Sequence, residues 1–464
     1  MPVVVQALRR GLVDCVAVVR TTKVTARRST LAVVAGLATA CAADPPQLPG
    51  GSSAAGSGTS TTAAVATDGG GSDGADTTTT VAPGSTGTGG VDTGDTDTGS
   101  DSSTGEPVVV VCEGADGLCH TALPPWPVGS ARIEAIGLGD LDEDGLTDAV
   151  VADDLANVLL LLEGQGDGTF AALGSVPTQG GNIDDIVVAD LDGDGHVDVA
   201  TANAGSSTVT VLLGAGDGTL SLLVMQDVPG SPRSITAGDL DENAIADVVV
   251  GVAGTPGISP LHGPSYDRAG ANYPIGAGAI DTVATGHLGP DLVLDVVAAS
   301  RAGDAVFVVP GAAAGGFTVP SAQAFPAGQA VGGHLADLDA DGSVDLLTVS
   351  ADAVQVRLGA EPGTIAPAVV GNYPATVGIR EAAFGDLNAD GRPEVIVVSN
   401  QTDDLGVLVN ADGTSFAPML RFDYAENLWD VELADLNADG ALDAVAAARN
   451  ANFLAVLLSA ATSR

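Results

Sequence analysis

Beyond residue 130 the apolar residues come in short runs, not at helical spacing. An apolar stretch leads into an acidic loop, and a second run follows at once (DAVVAD, DVATAN, DVVVGV, DVVAAS, DLLTVS, EVIVVS, DAVAAA). A third run comes after a polar turn (NVLLLLEG, TVTVLLG, AVFVVPG, AVQVRLG, LGVLVN, FLAVLLS). Runs of 5–8 residues, β-branched and bounded by Gly, Asn and Asp, predict strands. A Gly-Asp-Gly-Thr type of turn then places Phe170, Leu220, Phe317 or Phe416 30 residues after the loop begins, and a fourth strand follows. One unit departs from this grammar. Residues 254–272, GTPGISPLHGPSYDRAGAN, are read as a longer loop in place of the third strand, carrying His262, Tyr266 and Arg268, where a binding site could be added.

The loops give the period. They read GDLDEDGLTD at 139–148, ADLDGDGHVD at 189–198, GDLDENAIAD at 238–247, GHLGPDLVLD at 286–295, ADLDADGSVD at 336–345, GDLNADGRPE at 385–394 and ADLNADGALD at 434–443. Their first positions fall at 140, 190, 239, 287, 337, 386 and 435, in steps of 48 to 50. A fixed period of this size means a repeat architecture. Seven units of four strands predict an all-β, seven-bladed β-propeller over 121–464. The chain reaches Arg464 just after a third strand, whereas Trp126-Pro127 stands 14 residues before Asp140, as Tyr273-Pro274, Phe325-Pro326 and Tyr373-Pro374 stand before later loops. Residues 121–130, within a segment 107–130, are therefore expected to supply the outer strand of blade seven.

Four carboxylates within nine residues need a hard cation beside them. Calcium takes about 6–8 oxygens, here from side chains at positions 1, 3, 5 and 9 and a carbonyl at position 7, with Gly at position 6 for the turn. Four intact copies offer Asp140, Asp142, Asp144, Leu146 and Asp148; Asp190, Asp192, Asp194, His196 and Asp198; Asp337, Asp339, Asp341, Ser343 and Asp345; and Asp435, Asn437, Asp439, Ala441 and Asp443. A fifth keeps oxygen throughout with Asp386, Asn388, Asp390, Arg392 and Glu394. About five Ca2+ sites are expected. Copy three carries Ala244 at the glycine position, where a β-carbon resists a left-handed backbone. Copy four has lost the site, because His287 and Gly289 replace oxygen ligands and leave Asp291 and Asp295 as turn residues. His196, His287 and His334 are read as exposed turn residues.

Charge narrows the partners. Lys+Arg total 16 and Asp+Glu 59, so the formal charge is −43. A polyanion is held neither on nucleic acid nor on anionic lipid by a basic patch. The only lysine, Lys23, precedes every domain and excludes lysine-based catalysis in them. Sixty-three glycines and 3% aromatics suit strands and turns better than a helical enzyme.

The N-terminus reads as an address. Residues 1–40 form a signal peptide whose apolar run, STLAVVAGLATA, is too short to span a bilayer, and a start near Val24 would suit it better. Its end, Leu37-Ala38-Thr39-Ala40-Cys41, resembles a bacterial lipobox, which implies a lipid on Cys41 and an exported envelope lipoprotein, or otherwise a secreted one. Residues 41–106, rich in Gly, Ser, Thr and Asp, are expected to be a disordered tether. Cys112 and Cys119 suit a local disulfide in an oxidising compartment. A zinc site with His120 would lack a fourth ligand nearby.

The repeated phrase, with Phe384-Gly385-Asp386 and GDGTF at 166–170 as close echoes, resembles the FG-GAP/VCBS repeats of integrin α-subunit propellers and of many bacterial surface proteins. That resemblance implies calcium in hairpins between first and second strands on one rim, and ligand contacts by loops of the opposite face. Ligand candidates in the second-to-third-strand loops are Asn203, Arg301, Asn400, Asp403, Asp404, Arg449 and Asn450. The expected function is an envelope-tethered binding or adhesion module for protein or glycan, monomeric, meeting the membrane only through its lipid. A lyase or hydrolase acting on polysaccharide is the alternative, and structural display a third. Five histidines, no His-Glu-x-x-His and no acid pair outside the metal loops argue against catalysis.

Overall fold

Every blade begins with a strand that runs into an acidic loop and returns antiparallel, as Ile133–Gly139 and Asp148–Asp153 do in blade one. The computed structural model describes residues 109–461, apart from 113–117, 130–131, 267–271, 277, 290–292, 313–314, 320–321, 340, 362, 389 and 425–426. The expected signal peptide, Cys41, the tether, Arg268 and Asp291 lie outside the described residues. The fold is all-β, with seven four-stranded blades in a propeller ring.

Burial explains the sequence runs. Second strands such as Asp148–Asp153, Asp198–Asn203, Asp295–Ser300 and Asp443–Ala448 are buried at every residue, because each is covered by a neighbouring blade on both faces. They therefore read as continuous apolar runs instead of alternating ones. The predicted aromatic positions after the Gly-Asp-Gly turn are core residues, with Phe170, Phe317 and Phe416 buried.

Blade three corrects one expectation. Its third strand is present at Gly257–Leu261, paired with Asp247–Ala253, and it is the fourth strand that is reduced to a bridge between Ile258 and Tyr273. The Pro-rich composition hid a short strand at GISPL. Tyr266 is no surface ligand either. It is fully buried, and its hydroxyl donates to the Leu191 and Ala246 carbonyls of two adjacent blades.

Ring closure follows the expectation with a wider span. Leu118–Ala122 pairs with the last strand, Phe453–Ala461, from Leu118 opposite Ala461 to Ala122 opposite Leu457. Trp126–Pro127 continues the same edge opposite Leu454 and Phe453. Val109–Cys112 adds a further strand outside, with Cys112 in register with Cys119. His120, in the closing strand, is fully buried with Nδ1 3.0 Å from Ser459 Oγ, and burial pushes it down to about 4. A chain beginning at residue 131 exposes the edge of Phe453–Ala461. Calorimetry should find it melting at least about 5 °C below a chain beginning at 107 and aggregating, since each kcal/mol moves such a domain by roughly 2–4 °C. Equal melting of the two would mean that the closing strand contributes nothing.

Candidate functional site

The acidic loops fold by their own hydrogen bonds. In copy one the Gly145 N–H donates to Asp140 at 3.0 Å, Asp144 N–H to Asp142 at 3.2 Å and Leu146 N–H to Asp144 at 2.8 Å. The bond from position 6 to position 1 recurs at Gly195, Gly342, Gly391 and Gly440. Copy three makes it too, from Ala244 to Asp239 at 2.8 Å, and Ala244 takes φ 68°. The expected backbone resistance is thus overcome locally, at a cost of about 1 kcal/mol. Carboxylate oxygens converge within 4.8 Å in Asp140/Asp142/Asp148, Asp190/Asp192/Asp194 and Asp337/Asp339/Asp345, so several clusters could hold a metal ion. His262, just past the third strand of blade three, joins Asp241 and Asp247 in another such group.

Position nine does something the sequence did not reveal. Asp148 is fully buried and accepts from Leu141 N–H and Gly164 N–H, both at 2.8 Å, which ties the loop to the third strand. The same two bonds recur at Asp198, Asp247, Asp345, Glu394 and Asp443. Asp295 of the degenerate copy four keeps them with Leu288 and Gly311, at 2.5 and 2.8 Å, so it is a buried structural clamp and not a plain turn residue. Burial pushes Glu394 and Asp443 up to about 7, although the two N–H donors pull the other way.

At the opposite end of the blades the ring encloses a channel with a cavity of about 860 Å3. Inner-strand residues build it in layers. Six positions before each loop stand Glu134, Asp184, Arg233, Asp281, Val331, Arg380 and Trp429. In blades one, two, three, six and seven the register slips at this residue, so Glu134, Asp184, Arg233, Arg380 and Trp429 are each the extra residue of a β-bulge. A bulge re-aims a side chain, here toward the channel mouth. One step deeper lie Asp185, Glu381 and Asp430, and deeper still Glu432 and His334. Asp185 and Asp430 each accept an N–H from the next blade, Ile235 and Ile136 respectively, at 2.8 Å. Enclosure by protein raises all four carboxyls, and repulsion from the others adds to this at Asp185, Glu381 and Glu432; Glu381 reaches about 8.

These residues change several sequence expectations. Acid groups outside the metal loops do meet, at Asp185, Glu381, Asp430 and Glu432. His334 is no turn residue: it sits on Gly332–Ala336, stacked on Phe384 at 5.0 Å. His287 is exposed in its loop, and half-buried His196 reaches Glu143 of the neighbouring loop at 2.5 Å. Of the ligand candidates, only Arg301 and Arg449 line the cavity. Asn203 is fully buried, bonded to Thr201, Thr208 and Thr210. Asp404 is buried against Thr376 and Thr402. Asn400 bonds Gly378 through its backbone, Asp403 holds a turn at φ 56°, and Asn450 is exposed outside the cavity lining. Aligning the seven copies by loop number and reading six places upstream would have exposed the charged mouth.

Comparison with known proteins agrees with the repeats. Residues 140–201, 190–250, 337–397 and 386–446 match the FG-GAP-like repeat family, so these copies are FG-GAP-like repeats, and the degenerate loop at 286–295 lies outside the matched stretches. Among solved structures the chain is similar to BBS1N, determined in complex with ARL6DN, with a TM-score of 0.52 and 14% identity over 72% of this chain and 94% of that one. It is also similar to a streptogramin B lyase, with a TM-score of 0.51 and 14% identity over 74% and 98%. Such identities show the fold alone. No curated protein matches.

Two outcomes test these assignments. Asp295→Ala removes the acceptor of two buried N–H groups and should cost about 2–4 kcal/mol in urea titrations, equally with and without calcium. A cost that appears only with calcium would make Asp295 a metal ligand instead. The second concerns pH. Carboxyls raised above their unfolded values bind more protons in the native state, so their contribution falls as pH rises toward 8. His120, lowered by burial, acts with the opposite sign below about pH 6.5. Between pH 6.5 and 8.5, therefore, the melting temperature should fall, and Glu381→Gln should flatten that slope. An unchanged slope in the variant would remove Glu381 from the account.

Proposed function

We propose that this chain is an exported, calcium-rigidified propeller acting as a binding or adhesion module, tethered to the cell envelope through Cys41. Its ligand enters the channel mouth on the face opposite the acidic loops. The observation that carries this reading is the separation of chemistry between the two ends of the blades. Oxygen-rich loops shaped by their own N–H groups stand at one end, and bulge residues with arginines at the other.

The donor chemistry favours calcium in the loops of blades one, two, five, six and seven. All of their first, third, fifth and ninth positions offer oxygen, and hard oxygen cages take Ca2+ ahead of softer metals. Bound metal would also hold Glu394 and Asp443 ionised at a burial that otherwise favours the proton. A Cys112–Cys119 disulfide would pin the outermost hairpin of blade seven, where the two residues stand in register.

A polysaccharide lyase or hydrolase is the second reading. Only the channel carboxyls favour it, because raised acids facing a cavity suit proton transfer. The likeness to a lyase fold at 14% identity adds nothing to the chemistry.

Calcium at 100 times its dissociation constant stabilises a single site by about 2.7 kcal/mol. Calorimetry in millimolar calcium should therefore give a melting temperature many degrees above that in excess chelator, with Asp190→Ala narrowing the difference. Identical melting in both buffers would end the metal reading. Turnover of a polysaccharide, abolished by Glu381→Gln, would replace the binding module by the enzyme.

A further inference from the structure

Arginine is scarce in this chain, yet Arg233, Arg301, Arg380 and Arg449 line one cavity of a protein with formal charge −43. Two of them are already offset. Arg449 Nη2 lies 2.6 Å from Glu134 Oε2, and Arg233 Nη1 lies 3.6 Å from Asp184 Oδ2. Arg301 and Arg380 have no carboxylate within 4.0 Å among the described residues. Arg301 Nη2 donates only to the Ile379 and Arg380 carbonyls, both at 3.3 Å, and its buried Nε has no hydrogen-bond partner. Two guanidinium groups are thus held close together, and the nearby Asp281 accepts the Arg301 backbone N–H at 2.9 Å without pairing with either guanidinium. Like charges in a partly desolvated cleft repel, and such an arrangement is relieved by a bound anion.

The cations are also fixed in place. Arg380 and Arg449 both stack on Trp429, at 4.0 and 3.9 Å from the ring centroid, and Arg380 and Trp429 are themselves bulge residues. A guanidinium held by an aromatic face loses less freedom when it binds a planar anion than a free side chain would. Strand geometry therefore prepares this mouth before any ligand arrives.

We infer that the channel mouth binds a saccharide bearing a single carboxylate, such as a uronate-terminated oligosaccharide, with the carboxylate between Arg301 and Arg380 and the hydroxyl groups directed down the channel. This rests on the channel being the ligand site, as proposed above. Charge selects a monoanion, since Glu134, Asp184 and Asp281 in the mouth layer offset three of the four arginines, and a multiply charged phosphate would also face the carboxyls one layer below. Polarity selects a sugar. The deeper layers present Asp185, Ser234, Thr236, Glu381, Asp430 and Glu432, which can bond hydroxyls, and Phe384 and Leu442 belong to a smaller apolar share of the wall. Size agrees, because about 860 Å3 lies within the roughly 300–1,000 Å3 of small-molecule sites.

The test uses the full chain in calcium and titration calorimetry with digalacturonate methyl-esterified at its reducing residue, which leaves one carboxylate, and with lactose, inorganic phosphate and an N-acetylated dipeptide with a free carboxylate. Digalacturonate should bind saturably, at least about tenfold more tightly than the other three, a difference of about 1.4 kcal/mol. Arg301→Gln and Arg380→Gln should each weaken it by about tenfold or more with melting unaltered, and Arg421→Gln on an outer strand should leave it unchanged. If a Gln variant fails to fold, Arg301→Lys keeps the charge without the planar fork and should still weaken binding. Lactose binding as tightly as digalacturonate, with both sensitive to the arginine variants, overturns the acidic ligand while leaving the channel as the site. Equal binding of phosphate or of the dipeptide overturns the carboxylate or the sugar in the same way. Digalacturonate binding that ignores both arginines overturns the proposal and the channel reading together, and no binding of digalacturonate overturns the proposal alone.

Discussion

A buried carboxylate with two backbone partners holds each blade in register. At position nine of every loop, one oxygen accepts the N–H of loop position two and the other accepts an N–H at the end of the third strand, as Asp198 does with Leu191 and Gly214. A loop, a second strand and a third strand are thereby fixed by one side chain. Its burial also explains why the residue must be acidic. A carboxylate takes two N–H donors where an apolar residue would strand both, and orphaned donors in a core cost more than the bonds themselves return. Copy four makes the point: His287 and Gly289 stand where the other loops carry oxygen side chains, and it still keeps Asp295.

That clamp shows how much of the molecule was legible in the sequence. Strand runs, the period near 49 residues, the seven blades and the closing strand near Trp126 all followed from patterns with a direct physical cause, namely strands buried on both faces, glycine turns and an unpaired edge. The metal-competent loops were legible for the same reason, since clustered carboxylates declare themselves. Position nine was legible only by residue type. Its spacing fits a ligand set and a backbone clamp equally well, and nothing but the fold distinguishes them.

The channel was not legible because its residues look unremarkable along the chain. Arg380 and Trp429 stand beside acidic residues in strands of mixed polarity, and a strand pattern with period two assigns them to whichever face parity dictates. A bulge breaks that parity. Ring geometry then converts six of the seven separated positions into one neighbourhood, and the candidates chosen by their place in the second-to-third-strand loops mostly proved to hold turns, as Asn203 and Asp404 do. The proposed ligand site therefore combines inner-strand residues with two loop arginines, Arg301 and Arg449.

Blade seven is assembled from both ends of the ring, with His120 and Ser459 in contact across 339 residues of chain. During synthesis the closing strand leaves the ribosome before the rest of the propeller and its inner partner much later, so it has only Val109–Cys112 on its outer edge while six other blades form. Closing so long a loop costs only slightly more entropy than closing a shorter one, because the penalty grows logarithmically, but the search for it is slow. Blade-by-blade assembly is therefore local and quick, while the final pairing is one distant encounter. A nascent chain of this design is most vulnerable to proteases and to joining with a second copy in the interval just before its last nine-residue strand is complete.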